Sequence, residues 1–593
     1  MKIIKPTRLL GAILVFSTYA THVWINSFYI APRNVDFSKY YDYINYFLGL
    51  NVDIDYGQGI LYYYLISIAI KRKIDIIDFY NSELIISSAV HNVNLIFFIT
   101  GLIGLYYLLK LKNFKNDIII ISLIVLVFFP QTIYMRAVMK PEIIGFAFLP
   151  WIILFIEKFI DKGNIKFIYY AVPFLAIVIN SKASTAGMII IFLLFSYWSL
   201  LKKIKFKNIF IIFVLLLSVV SILQIENYGV TNNSIIDRPY DKEYDFRAEP
   251  SVLYKVSVLD LVREPFFKIA DTGESVHSRS LINLLLLDSF GDHFNQLFDF
   301  QANYFMQYRK DFVVNDSEVF ITPKREINYT GPFSSIIISN LDHLRKMTSL
   351  FWSTIFYVFV IVFSLNIKKY RKFYLAPLSG IFLLYINSLG VPSNNFNPIK
   401  GDTFKAFYFG SLLSISFIFM VAILLKRVKI MKFIFPLIFI LSTLFIAGHP
   451  RENSQFLSEH LVSVNQHSIF CNINNYLIYE NEILKKIFPS GNINNIISNC
   501  KPVKISSAGD SARVKYDEAN LKNCVNEDNE ILNNSYENAS SNTTSCRIYT
   551  FEQVQANRNL VQYRFPYFSV LMSLVSLLFI LDELSKKFRR KIT

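Results

Sequence analysis

Charge is scarce in this chain of 593 residues. Asp, Glu, Lys and Arg make up 18% of it against 53% hydrophobic residues, and the mean hydropathy is positive, which excludes an ordinary soluble globular protein. Cysteine is scarcer still, at four residues, so a densely cross-linked small scaffold is excluded as well. No Walker loop, GxGxxG fingerprint or HExxH pair occurs, which leaves no nucleotide-binding or zinc-protease signature, and no internal repeat marks a solenoid.

What the chain has instead is long apolar runs. Stretches near 9–30, 91–109, 117–133, 143–160, 167–181, 184–201, 208–225, 348–366, 373–390, 405–425, 433–448 and 566–582 are of a length to cross a hydrocarbon core of roughly 30 Å as helices. The expected fold class is therefore an all-α polytopic membrane protein with about twelve transmembrane helices. Lys2, Lys5 and Arg8 precede the first run as in a signal peptide, but the run is too long and lacks a small-residue cleavage site, so an uncleaved first helix is expected.

The connections KLKNFK (110–115), KKIKFK (202–207), KKYRK (368–372) and KRVKIMK (426–432) and the tail KKFRRK (586–591) are strongly basic, and alternate crossings put them all on one face. The positive-inside rule makes that face the cytoplasm, with both termini on it, in the inner (plasma) membrane. The same clustering accounts for the net charge of +16 without a nucleic-acid partner.

The other face receives the bulk of the chain outside the spans. The expected organisation is an N-terminal membrane module (1–225) with a first exterior loop (31–90), an exterior insert (226–346), a second membrane module (347–448), an exterior segment (449–564) and a last helix with its basic tail (565–593). Within the insert, INLLLLDSFGDHFNQLF (282–298) reads as an interfacial helix carrying Asp288, Asp292 and His293. Cys471, Cys500, Cys524 and Cys546 all fall in 449–564, and an even count confined to one exterior segment reads as two disulfides in a small domain. A zinc site is the rival, without CxxC spacing or paired His to support it.

Against this background, YMRAVMKPEIIGFAFLPW (134–151) stands out, because Arg136, Lys140 and Glu142 crowd an exterior corner where basic residues are unexpected. They either reach lipid head groups or form an anion site for a lipid phosphate. Lys182 in INSKAST and Lys400 and Lys405 in PIKGDTFKAFYF lie at other exterior span ends, which favours convergence on one anionic group. In the first loop, Asp36 is placed either to cap a helix or to take a proton from an acceptor hydroxyl. Tyr40 and Tyr43 follow at helical spacing, suited to a sugar ring. Asp53 and Asp55 form an Asp-x-Asp that reads as a divalent-cation pair or as a solvated turn.

At these residues the chain resembles the GT-C-type membrane glycosyltransferases, which take a sugar from a polyprenyl-phosphate donor on the exterior face. The first loop, with its acidic motif, aromatic helix and Gly-rich turn into LYYYL, is similar to the first loop of that class, although the Asp-Glu and following His of many members are here Asp36, Phe37 and Tyr40. RAVMKPE resembles the corner that meets the lipid phosphate, NSKAST an exterior Lys motif, LLLLDSFGDHF an aromatic-Gly-Asp motif around Asp292, and KAFYF the start of a late span, with Lys405 where many members have Arg. The resemblance implies an inverting transfer that requires no cofactor, with Asp36 as general base. Tyr40, Arg136, Lys140, Glu142, Lys182, Asp292 and Lys405 would bind substrate, and the acceptor would be a lipid, glycan or protein hydroxyl. A polymerase or ligase of lipid-linked saccharides is the alternative. A transporter would need polar or broken helices near the midplane.

Overall fold

In the computed structural model, the described residues are 6–28, 40, 43–44, 46–48, 54, 58–71, 82–231 except 202–203, 281–291, 312–315, 318–321, 335–389, 406–446 except 429, 507–508, 513–517 and 565–592. The helices run α1 (Pro6–Phe28), α2 (Ile60–Lys71), α3 (Ser82–Leu111), α4 (Asn116–Val127), α5 (Pro130–Ala137), α6 (Glu142–Lys162), α7 (Lys166–Ile179), α8 (Ala183–Leu201), α9 (Phe206–Thr231), α10 (Leu281–Asp288), α11 (Ser335–Asn366), α12 (Ala376–Leu389), α13 (Gly410–Arg427), α14 (Met431–Ile446) and α15 (Tyr567–Ile592). Short helical turns at Lys368–Tyr370, Arg371–Tyr374 and Ala406–Phe409 lie between them.

Eight of the described helices are long and apolar enough to cross a bilayer, and a ninth crossing results if α4 and α5 count as one broken span. This is fewer than the twelve expected from apolar length. The runs near 167–181, 373–390 and 433–448 are helical but only 14, 14 and 16 residues long. At about 1.5 Å per residue, each falls short of the hydrocarbon thickness. The run near 117–133 is a pair of helices bent by 57°. Proline at the first position of α5 cannot donate a backbone bond to the helix before it, so the bend falls there.

α6 is the core of the bundle. Nearly all of its apolar residues are buried, packed against α3 and α7 on two sides and α13 on another, with Trp151 reaching the Thr100 carbonyl of α3 through its indole N–H at 3.0 Å. It ends on Gly163, which takes the left-handed conformation (φ 69°) and donates its N–H to the Phe159 carbonyl at 2.8 Å. The peripheral α9 keeps large apolar side chains exposed, as a lipid-facing helix does, and anchors α15. Glu226 accepts hydrogen bonds from the Phe568 and Ser569 N–H groups, both at 2.8 Å, so a carboxylate supplies the acceptor that the start of α15 needs.

The basic turns do gather at one end of the bundle. Glu157 of α6, almost fully buried, pairs with Lys112 from the α3–α4 turn and Lys372 from the turn before α12, and accepts the Tyr197 hydroxyl at 2.7 Å. Its neighbour Lys158 pairs with Glu583 of α15, and Lys432 reaches Asp117 at 2.6 Å. Lys372 is pushed below the usual lysine range by burial, with Glu157 opposing that shift.

The membrane-embedded part is helical throughout, in keeping with the expected class. Outside it four short strands depart from an all-α chain: β1 (Phe312–Asn315), β2 (Glu318–Ile321), β3 (Ser507–Ala508) and β4 (Arg513–Asp517) form an antiparallel sheet in the order β1-β2-β4-β3. Glu318 pairs with Asp517 across it, so the insert and the Cys-bearing segment share one sheet. Cys471, Cys500, Cys524 and Cys546 lie outside the described residues.

Removing the carboxylate at the basic end should be costly. Glu157→Gln leaves the half-buried Lys112 and Lys372 with no anion between them, and breaking a pair whose carboxylate is buried destabilises by up to about 3–5 kcal/mol, less where the cations keep some solvent. The expected outcome is a marked drop in the thermal unfolding temperature of the purified protein, partly restored when Lys112 and Lys372 are also replaced by Met. An unchanged midpoint in Glu157→Gln would show that the cluster is not holding the turns together.

Candidate active site

The opposite end of the bundle is built around the break between α4 and α5. Breaking a helix inside a membrane frees carbonyls that no water can satisfy, so side chains must do it. Arg136 fills that role. Its Nε donates to the Thr132 carbonyl at 3.0 Å, Nη2 to Val127 at 2.7 Å and Nη1 to Thr21 Oγ1 of α1 at 2.7 Å, and the guanidinium lies over the Phe98 ring at 4.3 Å. Arg136 is buried in the wall of the corner, so the head-group alternative does not describe it.

The segment that follows, Ala137 to Lys140, is carried by α3. Asn94 donates to the carbonyls of Arg136 at 2.9 Å and Val138 at 3.0 Å, and His91 Nε2 lies 3.1 Å from the Ala137 carbonyl. Asn94 also accepts the Tyr62 hydroxyl at 2.9 Å, which ties the first loop to the corner.

On this support four separated motifs converge. Glu142, in the first turn of α6 and almost fully buried, accepts Lys182 at 2.5 Å. The Lys182 ammonium also lies 4.8 Å from the centre of the Tyr408 ring, and that of the buried Lys140 lies 5.9 Å from the Phe407 ring. Phe407 and Tyr408 are held in place because Asp288, at the end of α10, accepts the Ala406 N–H at 2.6 Å, while Gln131 of α5 donates to the Asp288 carbonyl at 2.6 Å. RAVMKPE, NSKAST, LLLLDSFG and KAFYF therefore form one site. Beside it a small open cleft is lined in part by Gly59, Ile144, Asn180, Ser181 and Asn227.

The first loop enters the site differently from expectation. Tyr40 and Tyr43, read as sugar-facing, are buried: Tyr43 stacks on Tyr63 at 4.4 Å and accepts the Gln58 N–H at 2.7 Å, and Gln58 Nε2 donates to Tyr40 at 3.4 Å. Three tyrosines in one cluster bury more area against each other than they would facing water, so they brace the turn. That turn lands on the corner before Lys182, with the Gly59 N–H donating to the Ser181 carbonyl at 2.9 Å. Asp36, Asp53, Asp55, Asp292, His293, Lys400 and Lys405 lie outside the described residues.

Residues 84–223 match the dolichyl-phosphate-mannose-protein mannosyltransferase family. That is a family of GT-C-type polytopic membrane glycosyltransferases, as the sequence motifs led us to expect. The matched stretch, about a quarter of the chain, includes Asn94, Arg136, Lys140, Glu142 and Lys182. No curated protein and no solved structure matches the chain.

Asn94, His91, Gln58 and Gln131 were not singled out from sequence. His91 and Asn94 are three residues apart at the head of an apolar run, a spacing that puts two polar groups on one helical face, and polar groups within a span mark a site.

The glycine at 59 is a close-approach position. A Cβ there would sit 2.0 Å from the Asn180 carbonyl oxygen and 2.7 Å from Ser181 Cα, both backbone atoms. Gly59→Ala should therefore cost about 1–3 kcal/mol by overpacking and push the Lys182 corner out of place. Displacing a binding group by about 1 Å is enough to lower turnover about a hundredfold. Thermal unfolding and transfer assays check this, and wild-type values in both would mean that the loop does not rest on the corner as described.

Proposed function

We propose that the chain moves a sugar from a polyprenyl-phosphate donor to an acceptor hydroxyl at the exterior membrane surface. The observation that carries this reading is the convergence of Lys140 and Lys182 with Phe407, Tyr408 and Glu142 at the end of the bundle remote from the basic turns. Two ammonium groups at a membrane boundary, each against an aromatic ring, suit a phosphodiester whose lipid tail stays in the bilayer. By the positive-inside rule this end faces the exterior and both termini the cytoplasm.

In this reading Asp36 accepts the proton of the acceptor hydroxyl as that oxygen attacks the anomeric carbon from the face opposite the phosphate, inverting its configuration. The bond from the anomeric carbon to the phosphate oxygen breaks, and the electron pair stays on the lipid phosphate. Lys140 and Lys182, joined by Lys405, stabilise the charge that develops there. Arg136 contributes by fixing the corner that presents Lys140. Asp292 and the Asp53/Asp55 pair remain candidates for contacts to the acceptor or to a cation. The acceptor is a lipid, glycan or protein, and the reaction asks for no cofactor.

Two sets of variants test the assignment in native-like membranes. Asp36→Asn keeps the capping ability of the side chain and removes the base, so transfer from a labelled polyprenyl-phosphate sugar should fall about a hundredfold or more while donor binding persists. Lys140→Gln with Lys182→Gln should instead weaken binding of polyprenyl phosphate. Transfer near the wild-type rate in Asp36→Asn would remove Asp36 as the base, and unchanged lipid-phosphate affinity in the lysine double variant would overturn the phosphate site.

A further inference from the structure

Glu142 is only half satisfied. Its Oε1 accepts Lys182 at 2.5 Å, but Oε2 is buried with no hydrogen-bond partner among the described residues. A carboxylate oxygen left this way costs far more than a made hydrogen bond returns, so such an atom marks a place where something else belongs. It has company. Gln131 Oε1 and Thr185 Oγ1 are also buried and without partners among the described residues.

The residues that carry them sit on helices packed against one another. Thr185 and Ser411 flank Gly145, which lies three residues after Glu142; a Cβ there would come within 2.8 Å of Thr185 Cγ2 and 3.6 Å of Ser411 Oγ. Gln131 Oε1 faces the neighbouring Gly410, at 3.7 Å from the corresponding point. Glycines at 145 and 410 thus keep backbone and side chains low where α5, α6, α8 and α13 come together.

Of these atoms the Thr185 hydroxyl can donate as well as accept, but the other two are one-sided. A carboxylate oxygen and an amide carbonyl oxygen only accept, so the missing partner is a donor. A metal ion is a poor fit beside the Lys182 ammonium, and no group of three or more His, Cys, Asp or Glu side chains exists among the described residues to complete its shell. A ring bearing several hydroxyls supplies donors.

We infer that Glu142 is a sugar-recognition residue: Oε1 aims the Lys182 ammonium at the donor phosphate, while Oε2 accepts a hydroxyl of the sugar carried on that phosphate. The inference rests on the donor reading above. It deepens that reading by assigning recognition of the glycosyl unit to the first turn of α6, so the substrate class is a glycosyl phosphodiester with a free ring hydroxyl close to the anomeric carbon.

The test uses the full-length protein in lipid nanodiscs with two probes, polyprenyl phosphate and polyprenyl-phosphate mannose. Glu142→Gln keeps an oxygen for Lys182 and turns an NH₂ toward the sugar. It should lower affinity for the mannosyl lipid about tenfold or more, the scale of one hydrogen bond to a charged group, with little change for the sugar-free phosphate. Glu142→Asp, which keeps the charge but withdraws the carboxylate by one methylene, should show the same split, and it carries the test if the Gln protein does not fold. Equal losses for both probes would overturn sugar recognition and leave Glu142 as a support for Lys182 alone. Failure of the wild-type protein to bind either lipid would overturn the donor reading itself.

Discussion

The architecture depends on a single helix with a buried carboxylate near each end. Glu142 and Glu157 lie on α6 some 22 Å apart at the helical rise, and both are almost fully removed from solvent. An ionised carboxylate cannot stay there alone, so each end requires cations delivered by other parts of the chain. At Glu157 they come from the α3–α4 turn and from the turn before α12; at Glu142 the cation comes from the start of α8. The bundle is arranged so that those partners arrive together.

The two ends meet the same requirement to different degrees. Glu157 has two lysines and a tyrosine hydroxyl, and the cluster is closed. Glu142 has one lysine and, among the described residues, no partner for its second oxygen. A closed cluster clamps, whereas an incomplete one stays competent to bind. The difference between Arg136 and the lysines follows the same logic. A guanidinium has several donors in a rigid plane and suits the scattered carbonyls exposed where α4 gives way to α5. A lysine is a single mobile charge that suits a phosphate arriving from outside.

Much of this was legible in the sequence, because apolar length and the distribution of lysine are one-dimensional signals. The spans from 91–109 to 208–225 are all helices, and the basic turns at 110–115, 368–372 and 426–432 do share one end. The convergence of RAVMKPE, NSKAST and KAFYF was legible too, since cations against the charge rule need a common reason. What failed were matters of direction. Spacing put Tyr40 on a helix but could not tell a face turned to substrate from one turned to Tyr63. It marked Arg136 as out of place without revealing that a break eight residues earlier would claim its donors. The twelve expected spans compare with eight or nine among the described residues, because 14 apolar residues and 20 look alike when the run is read through its polar flanks. Glu157 was hidden for a different reason: in FIEKFIDK it reads as the solvated end of a span.

The placement of charge along α6 also bears on the choice between an enzyme and a transporter. Between Glu142 and Glu157 the helix reads IIGFAFLPWIILFI, without a single ionisable residue, and that stretch is buried at the centre of the bundle. The one proline inside it, Pro150, leaves the helix continuous from Glu142 to Lys162. A solute carrier needs polar side chains or broken backbone near the bilayer midplane, where the substrate changes sides. Here the broken backbone lies at the α4–α5 corner, beside Lys140 and Glu142, and the ionisable groups of α6 lie only towards its two ends. With its middle packed among apolar side chains, α6 offers no ionisable group along which a solute could pass, which fits the surface transfer proposed above better than a solute carrier.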